Sequence, residues 1–170
     1  DGVTDNTDAI VAAGTYCATA KKILTSDKAT YKTTSSCVLS MIPSVQLNGY
    51  FTFLDISFTP QMANANAQHI NGCENLILRD YKGATFTIDY VPYELQIIAD
   101  EAVRTGSSFA YNTFLGGWIG KLSLIGGATG GWINENRFYG TYFNVIEIGT
   151  HGDSYSHNNN RFYDAVLEDL

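Results

Sequence analysis

Charge is scarce in this chain. Asp, Glu, Lys and Arg make up 16% of its 170 residues, and only three prolines and three cysteines accompany them. At 170 residues, 45% of them hydrophobic, the chain is long enough for one domain with a proper core. The cysteines, Cys17, Cys37 and Cys73, are odd in number and far apart, which suits neither a disulfide scaffold nor a zinc-ligand spacing. They read as buried free thiols. No hydrophobic run approaches the length of a transmembrane helix, so no membrane insertion is expected. The charge that is present is mostly negative, 17 acids against 10 bases for a net −7, which argues against nucleic acid or an anionic membrane as partner. Helical patterning is confined to one short stretch near the start. Aromatic residues (13%) and the 16 glycines are abundant instead, the composition of a turn-rich β protein.

A repeat organises the second half. "NENRFYG" (134–140) returns as "NNNRFYD" (158–164), and a weaker copy, "YNTFLGG", stands at 111–117. Asn112, Asn136 and Asn160 are each 24 residues apart, as are Phe114, Phe138 and Phe162. The same spacing aligns Ile98, Leu122, Ile146 and Leu170, then Leu124 with Ile148, and Trp118 with Tyr142 and Val166. Within each copy apolar and polar residues alternate over short stretches, a strand period. Common helical repeats are longer and need two amphipathic helices per unit. A coil of about 24 residues built from short strands and turns fits a parallel β-helix, in which each rung lies roughly 4.8 Å above the last and like residues stack. On this reading the Phe column is an interior stack and the Asn column a ladder of amides. Both are structural.

The opening "DGVTDNTDAI" reads as a turn leading into a helix. Asp5 and Asp8 have the spacing of an N-terminal cap, and Ile10, Ala13, Cys17 and Leu24 form one stripe, with Gly14 as a weak point costing about 1 kcal/mol. A short helix ahead of a solenoid covers the apolar end of the stack. Together with "ATYKTTSSCVLS" and "PSVQLNGY", this segment resembles the start of the pectate-lyase-like right-handed β-helix proteins, bacteriophage tailspikes in particular. That family opens a capping helix with "DGVTDDTxAI" and continues through a "PGTY" turn, of which only Thr30 and Tyr31 stand here, and a "VxLxG" strand. The expected fold is therefore an all-β, right-handed single-stranded parallel β-helix. Residues 1–22 would form the turn and capping helix and 23–170 the rungs. Because Leu170 falls within a rung, the chain is expected to be part of a longer spike. The resemblance implies a homotrimeric protein of the virion tail that binds, and as a glycoside hydrolase cleaves, bacterial capsule or lipopolysaccharide. A non-catalytic receptor-binding segment is the alternative; a secreted polysaccharide lyase is another, but the cluster of calcium-binding acids it would need is not visible.

Candidate site residues are the outward ones, of opposite parity to Phe138 and Ile146. Arg137 and Arg161 fall one above the other, with Glu135 beside them and Thr113 and Asp89 on earlier rungs. They form either a surface ladder or a contact for acidic sugars. Glu147 and Asp169 lie on neighbouring rungs with Cα atoms roughly 8 Å apart, a separation open to a glycosidase pair in which one carboxyl donates a proton and the other activates water or attacks carbon. Plain surface acids are the other reading. His151 and His157 flank Asp153 without a third well-placed ligand, so neither metal nor cofactor is expected.

Overall fold

The structure, a computed structural model, describes residues 4–27, 29–35, 37–47, 50–52, 56–60, 67–71, 73–99, 108–126, 131–149 and 155–168. Helix α1 spans Thr7–Ala20. Its N-cap residue is Asn6, whose side chain makes no capping bond. Asp5 takes the work one residue earlier, accepting hydrogen bonds from Thr7 N at 3.0 Å and Thr7 Oγ1 at 2.6 Å, while its other oxygen accepts from Thr34 Oγ1 at 2.5 Å. The cap thus ties the helix to the first coil. Gly14 is buried, and a Cβ there would meet Leu39 Cδ2 at 2.6 Å. The glycine that weakens the isolated helix lets it lie close on the stack.

Beyond the helix the chain winds through β1 (Leu24–Thr25), β2 (Thr30–Lys32) and β3 (Cys37–Ile42), then β4 (Val45–Leu47), β5 (Tyr50–Thr52) and β6 (Ile56–Pro60). Next come β7 (Ala67–Asn71), β8 (Asn75–Arg79), β9 (Thr85–Ala99) and β10 (Ser108–Ala110), followed by β11 (Thr113–Leu115), β12 (Trp118–Gly126) and β13 (Gly131–Asn134). The last coils hold β14 (Arg137–Tyr139), β15 (Tyr142–Gly149), β16 (Tyr155–Ser156), β17 (Arg161–Tyr163) and β18 (Val166–Leu167). Every pairing between these strands is parallel. One wall stacks β1-β4-β7-β9-β11-β14-β17; a second stacks β3-β6-β8-β9-β12-β15-β18; β10-β13-β16 form a third. Strand β9 is long enough to serve the first two. The protein is a parallel β-helix with one short helix at its start.

Sequence columns become physical stacks. Phe86, Phe114, Phe138 and Phe162 lie ring on ring, with centroids 4.8, 4.5 and 4.8 Å apart. Beside them Asn112 Nδ2 donates to Asn136 Oδ1 at 3.0 Å, and Asn136 Nδ2 to Asn160 Oδ1 at 2.9 Å. Each amide also donates to a corner carbonyl: Asn112 to Tyr81 O, Asn136 to Phe109 O and Asn160 to Ile133 O. These bonds tie each corner to the coil before it, and Tyr81 O accepts from Ala110 N at 3.0 Å as well. The preceding residues Gly83, Tyr111, Glu135 and Asn159 share a left-handed backbone, φ 56 to 65°, which sharpens the corner. The next corner repeats the device with Gly116, Gly140 and Asp164.

The 24-residue register fails above β11. Phe114 pairs with Phe86, 28 residues earlier, whereas Phe138 and Phe162 keep the spacing of 24. Ile119 pairs with Val91 and Lys121 with Glu94, so β9 holds one extra residue at Pro92–Tyr93. Proline has no N–H for the ladder, which makes this a natural place for a bulge. Three more residues lie between Ala99 and Ser108, a step of nine facing one of six from Gly126 to Trp132. Two sequence expectations are corrected. Leu122 stacks on Leu95, and Ile98 pairs with Ile125; Asp89 leaves the arginine column, its place taken by Thr85, and pairs with His69 at 3.0 Å.

The core is continuous from Leu24 to Phe143, and Cys17, Cys37 and Cys73 are buried and free. Burial raises the thiol pKa of Cys37 and of Cys73. Ile148, expected inside on the parity of Leu124, is 59% exposed. Strand β18 pairs only with Tyr142 and Phe143, so no described strand covers the far half of β15. Phe162 keeps its stack but is 38% exposed for the same reason: no described rung follows it.

Candidate functional site

The outward side of the second wall gathers the chemistry. Because each strand buries alternate residues, Tyr90, Trp118 and Tyr142 face outward at the starts of their segments, directly after the corner from the first wall. Their rings stack, Tyr90 on Trp118 with centroids 5.1 Å apart and Trp118 on Tyr142 at 6.4 Å. Ring faces meet one another, so the column shows its edges and polar tips outward. The column carries two phenol hydroxyls and an indole N–H, one from each coil. The Tyr142 hydroxyl bonds to Glu168, which raises its pKa. The bulge turns a further ring outward: Tyr93 is 62% exposed.

Next to Tyr93 lies a charged cluster. Lys121 Nζ stands between two carboxylates, 3.3 Å from Glu94 Oε1 and 2.5 Å from Glu147 Oε2. Glu94 also accepts from Ser123 Oγ at 2.5 Å and Gln96 Nε2 at 3.0 Å. Burial alone would raise the Glu94 pKa; the hydrogen bonds from Ser123, Gln96 and Lys121, with the charge of Lys121, outweigh it and hold the carboxyl low. The hydrogen bond to Glu147 above all, with that to Glu94 and the pull of both charges, raises the Lys121 pKa against a smaller effect of burial. Glu94, Lys121, Ser123 and Glu147, with Ile125 and Gly149, line a shallow depression of about 190 Å³.

Of the residues expected from sequence, Glu147 is in this cluster. Asp169 lies outside the described residues, as do His151 and Asp153. Arg137 and Arg161 open β14 and β17 on the first wall, exposed and in register. Glu135 sits at the corner before β14, where its Oε1 accepts from Asn159 Nδ2 at 2.6 Å. His157 is half-buried, and burial lowers its pKa against a hydrogen bond with the Gly149 backbone. Among the described residues no three His, Cys, Asp or Glu side chains are placed to hold a metal ion.

Sequence reading missed Glu94, Ser123 and the partnership of Lys121. Lys121 was within reach, since it stands 24 before Val145 and 48 before Asp169 in one outward column. Glu94 and Tyr90 were hidden by the long coil, which offsets them from Lys121 and Trp118 by 27 and 28 residues. No family model matches the chain, and no curated protein or solved structure matches it either.

Proposed function

We propose that this chain is a polysaccharide-binding β-helix of tailspike type, over whose second wall an extended bacterial surface polysaccharide lies. The observation that carries the reading is the outward column Tyr90–Trp118–Tyr142 beside the exposed Tyr93 and the Glu94–Lys121–Glu147 cluster. A sugar chain needs apolar edges for its C–H groups and regularly spaced donors and acceptors for its hydroxyls. This flank offers both. The "DGVTDNTDAI" opening supports the same reading, and with it a homotrimeric spike of a virion tail, capsule or lipopolysaccharide being the ligand.

Cleavage of the bound chain is the second half of the proposal. Glycoside hydrolysis needs one carboxyl as proton donor and one as base or nucleophile. Glu147 is paired to Lys121 at 2.5 Å, so this carboxylate is assigned the part of base or nucleophile. Asp169 is the proposed acid. Affinity electrophoresis in gels holding capsular polysaccharide or lipopolysaccharide, followed by an assay for new reducing ends, tests both halves. Trp118→Ala should lose retention by about tenfold or more with little change in melting temperature. Glu147→Gln should keep retention and lose product release by at least about a hundredfold. Unchanged retention by Trp118→Ala contradicts the binding flank; undiminished product from Glu147→Gln removes it from catalysis.

A further inference from the structure

The first wall carries a second, separate feature. Arg137 and Arg161 are directly paired across neighbouring rungs, about 4.8 Å apart along the stack. Like charges so placed oppose each other unless an anion lies between them. Glu135 is the acid at hand, and its carboxylate is turned to Asn159. Asn159 in turn accepts from Arg161 Nε at 2.9 Å through its Oδ1, and Tyr163 hydrogen-bonds to the same guanidinium. Arg161 is thereby held in place. The Arg137 side chain makes no hydrogen bond or ion pair with any described residue. Lys121, on the other wall, is already held by two carboxylates. Two guanidiniums and one engaged carboxylate leave an excess positive charge on a protein whose net charge is −7.

We infer that Arg137 and Arg161 form a subsite for an anionic substituent on the polysaccharide, a uronic-acid carboxylate or a sulfate ester, so that the ligand of the proposed flank is an acidic glycan. The inference rests on the glycan-binding reading and narrows it. A carboxylate or sulfate group accepts two parallel N–H bonds from a guanidinium, and one set between stacked arginines relieves their repulsion while gaining charge-assisted bonds from both. The stacked Tyr139 and Tyr163 rings, 4.7 Å apart, rim the site two residues further along each strand. Tyr142 follows Arg137 by five residues around the corner, at most about 17 Å of chain, so one ligand can touch both the subsite and the aromatic column.

The test is a titration of the whole chain followed through the arginine side-chain Nε–Hε signals. Glucuronate and glucose 6-sulfate should move the Arg137 and Arg161 signals together and saturably, while glucose moves neither and Arg79 stays still. Arg137→Gln should weaken the Arg161 response at least fivefold, and should reduce gel retention by an acidic polysaccharide about tenfold without touching retention by a neutral one. Still signals at Arg137 and Arg161, or an equal response to glucose or at Arg79, overturn the subsite. A response to inorganic sulfate but to neither acidic sugar overturns its assignment to glycan. The monosaccharide arms read the subsite without the aromatic flank. Arginine responses with no polymer retention therefore count against the flank, and retention indifferent to Arg137→Gln counts against the subsite.

Discussion

Asn136 is 1% exposed and uses both ends of its amide. Its Oδ1 accepts from Asn112 N and Nδ2, and its Nδ2 donates to Phe109 O and Asn160 Oδ1. Alanine there would strand the Asn112 donors and the Phe109 carbonyl inside the corner, each unsatisfied group costing about 1 to 3 kcal/mol. Asn136→Ala should therefore destabilise by about 3 kcal/mol or more in urea unfolding. A loss under about 1 kcal/mol would mean that water replaces the ladder. Asp5 makes a pH-dependent counterpart. Hydrogen bonds from Thr34 and Thr7 hold its carboxyl down to about 2. A depressed carboxyl stabilises the fold above its unfolded value of about 3.9 and loses that contribution as pH falls toward 2. Asp5→Asn should thus melt below the native chain at neutral pH, with the gap closing by about pH 2. The Asn and Phe columns were legible because identical residues recur at one spacing. Asp5 was legible as a helix start, but its bonds to Thr34 were not, since nothing local reports a contact 29 residues away.

At the scale of the strand and corner, the instructive element is β9. It runs through both walls and bulges at Pro92–Tyr93, opposite Gly120. A Cβ on Gly120 would lie 2.1 Å from the Pro92 carbonyl oxygen, so side chain and bulge cannot coexist without backbone movement. Gly120→Ala should lower stability by about 1 to 3 kcal/mol, measured by thermal melting, and should shift Tyr93 and Glu94 out of register with Lys121. A fully stable Gly120→Ala would mean that the bulge yields cheaply. This element marks the limit of the sequence reading. A fixed spacing of 24 carried the walls from β11 onward, but extra residues in the coil above, three as seen at Leu95 and four at Thr85, moved Leu95 beneath Leu122 and Thr85 into the arginine column. The proline was visible. Its consequence was not, because a bulge changes register without changing the alternation of apolar residues on either side.

On the scale of the whole molecule, the β-helix turns residues scattered over some sixty positions into one face. Tyr90, Trp118 and Tyr142 come from three coils, as do Glu94, Lys121 and Glu147. Of the charged cluster only Glu147 was read from the sequence, by its outward parity; Lys121 stood in a regular column but went unread, and Glu94 needed the true register. The central claim, that this face holds a sugar chain, is tested most directly through the two tryptophans. Trp118 lies in the proposed site and Trp132 on the third wall, so Trp132→Phe leaves Trp118 as the only indole reporter. Titrating that variant with fragments of the bacterial surface polysaccharide should change Trp118 emission saturably, and the reciprocal Trp118→Phe variant should stay silent. A flat Trp118 signal, with the response confined to Trp132 in the reciprocal variant, would place the glycan on another wall and contradict the account.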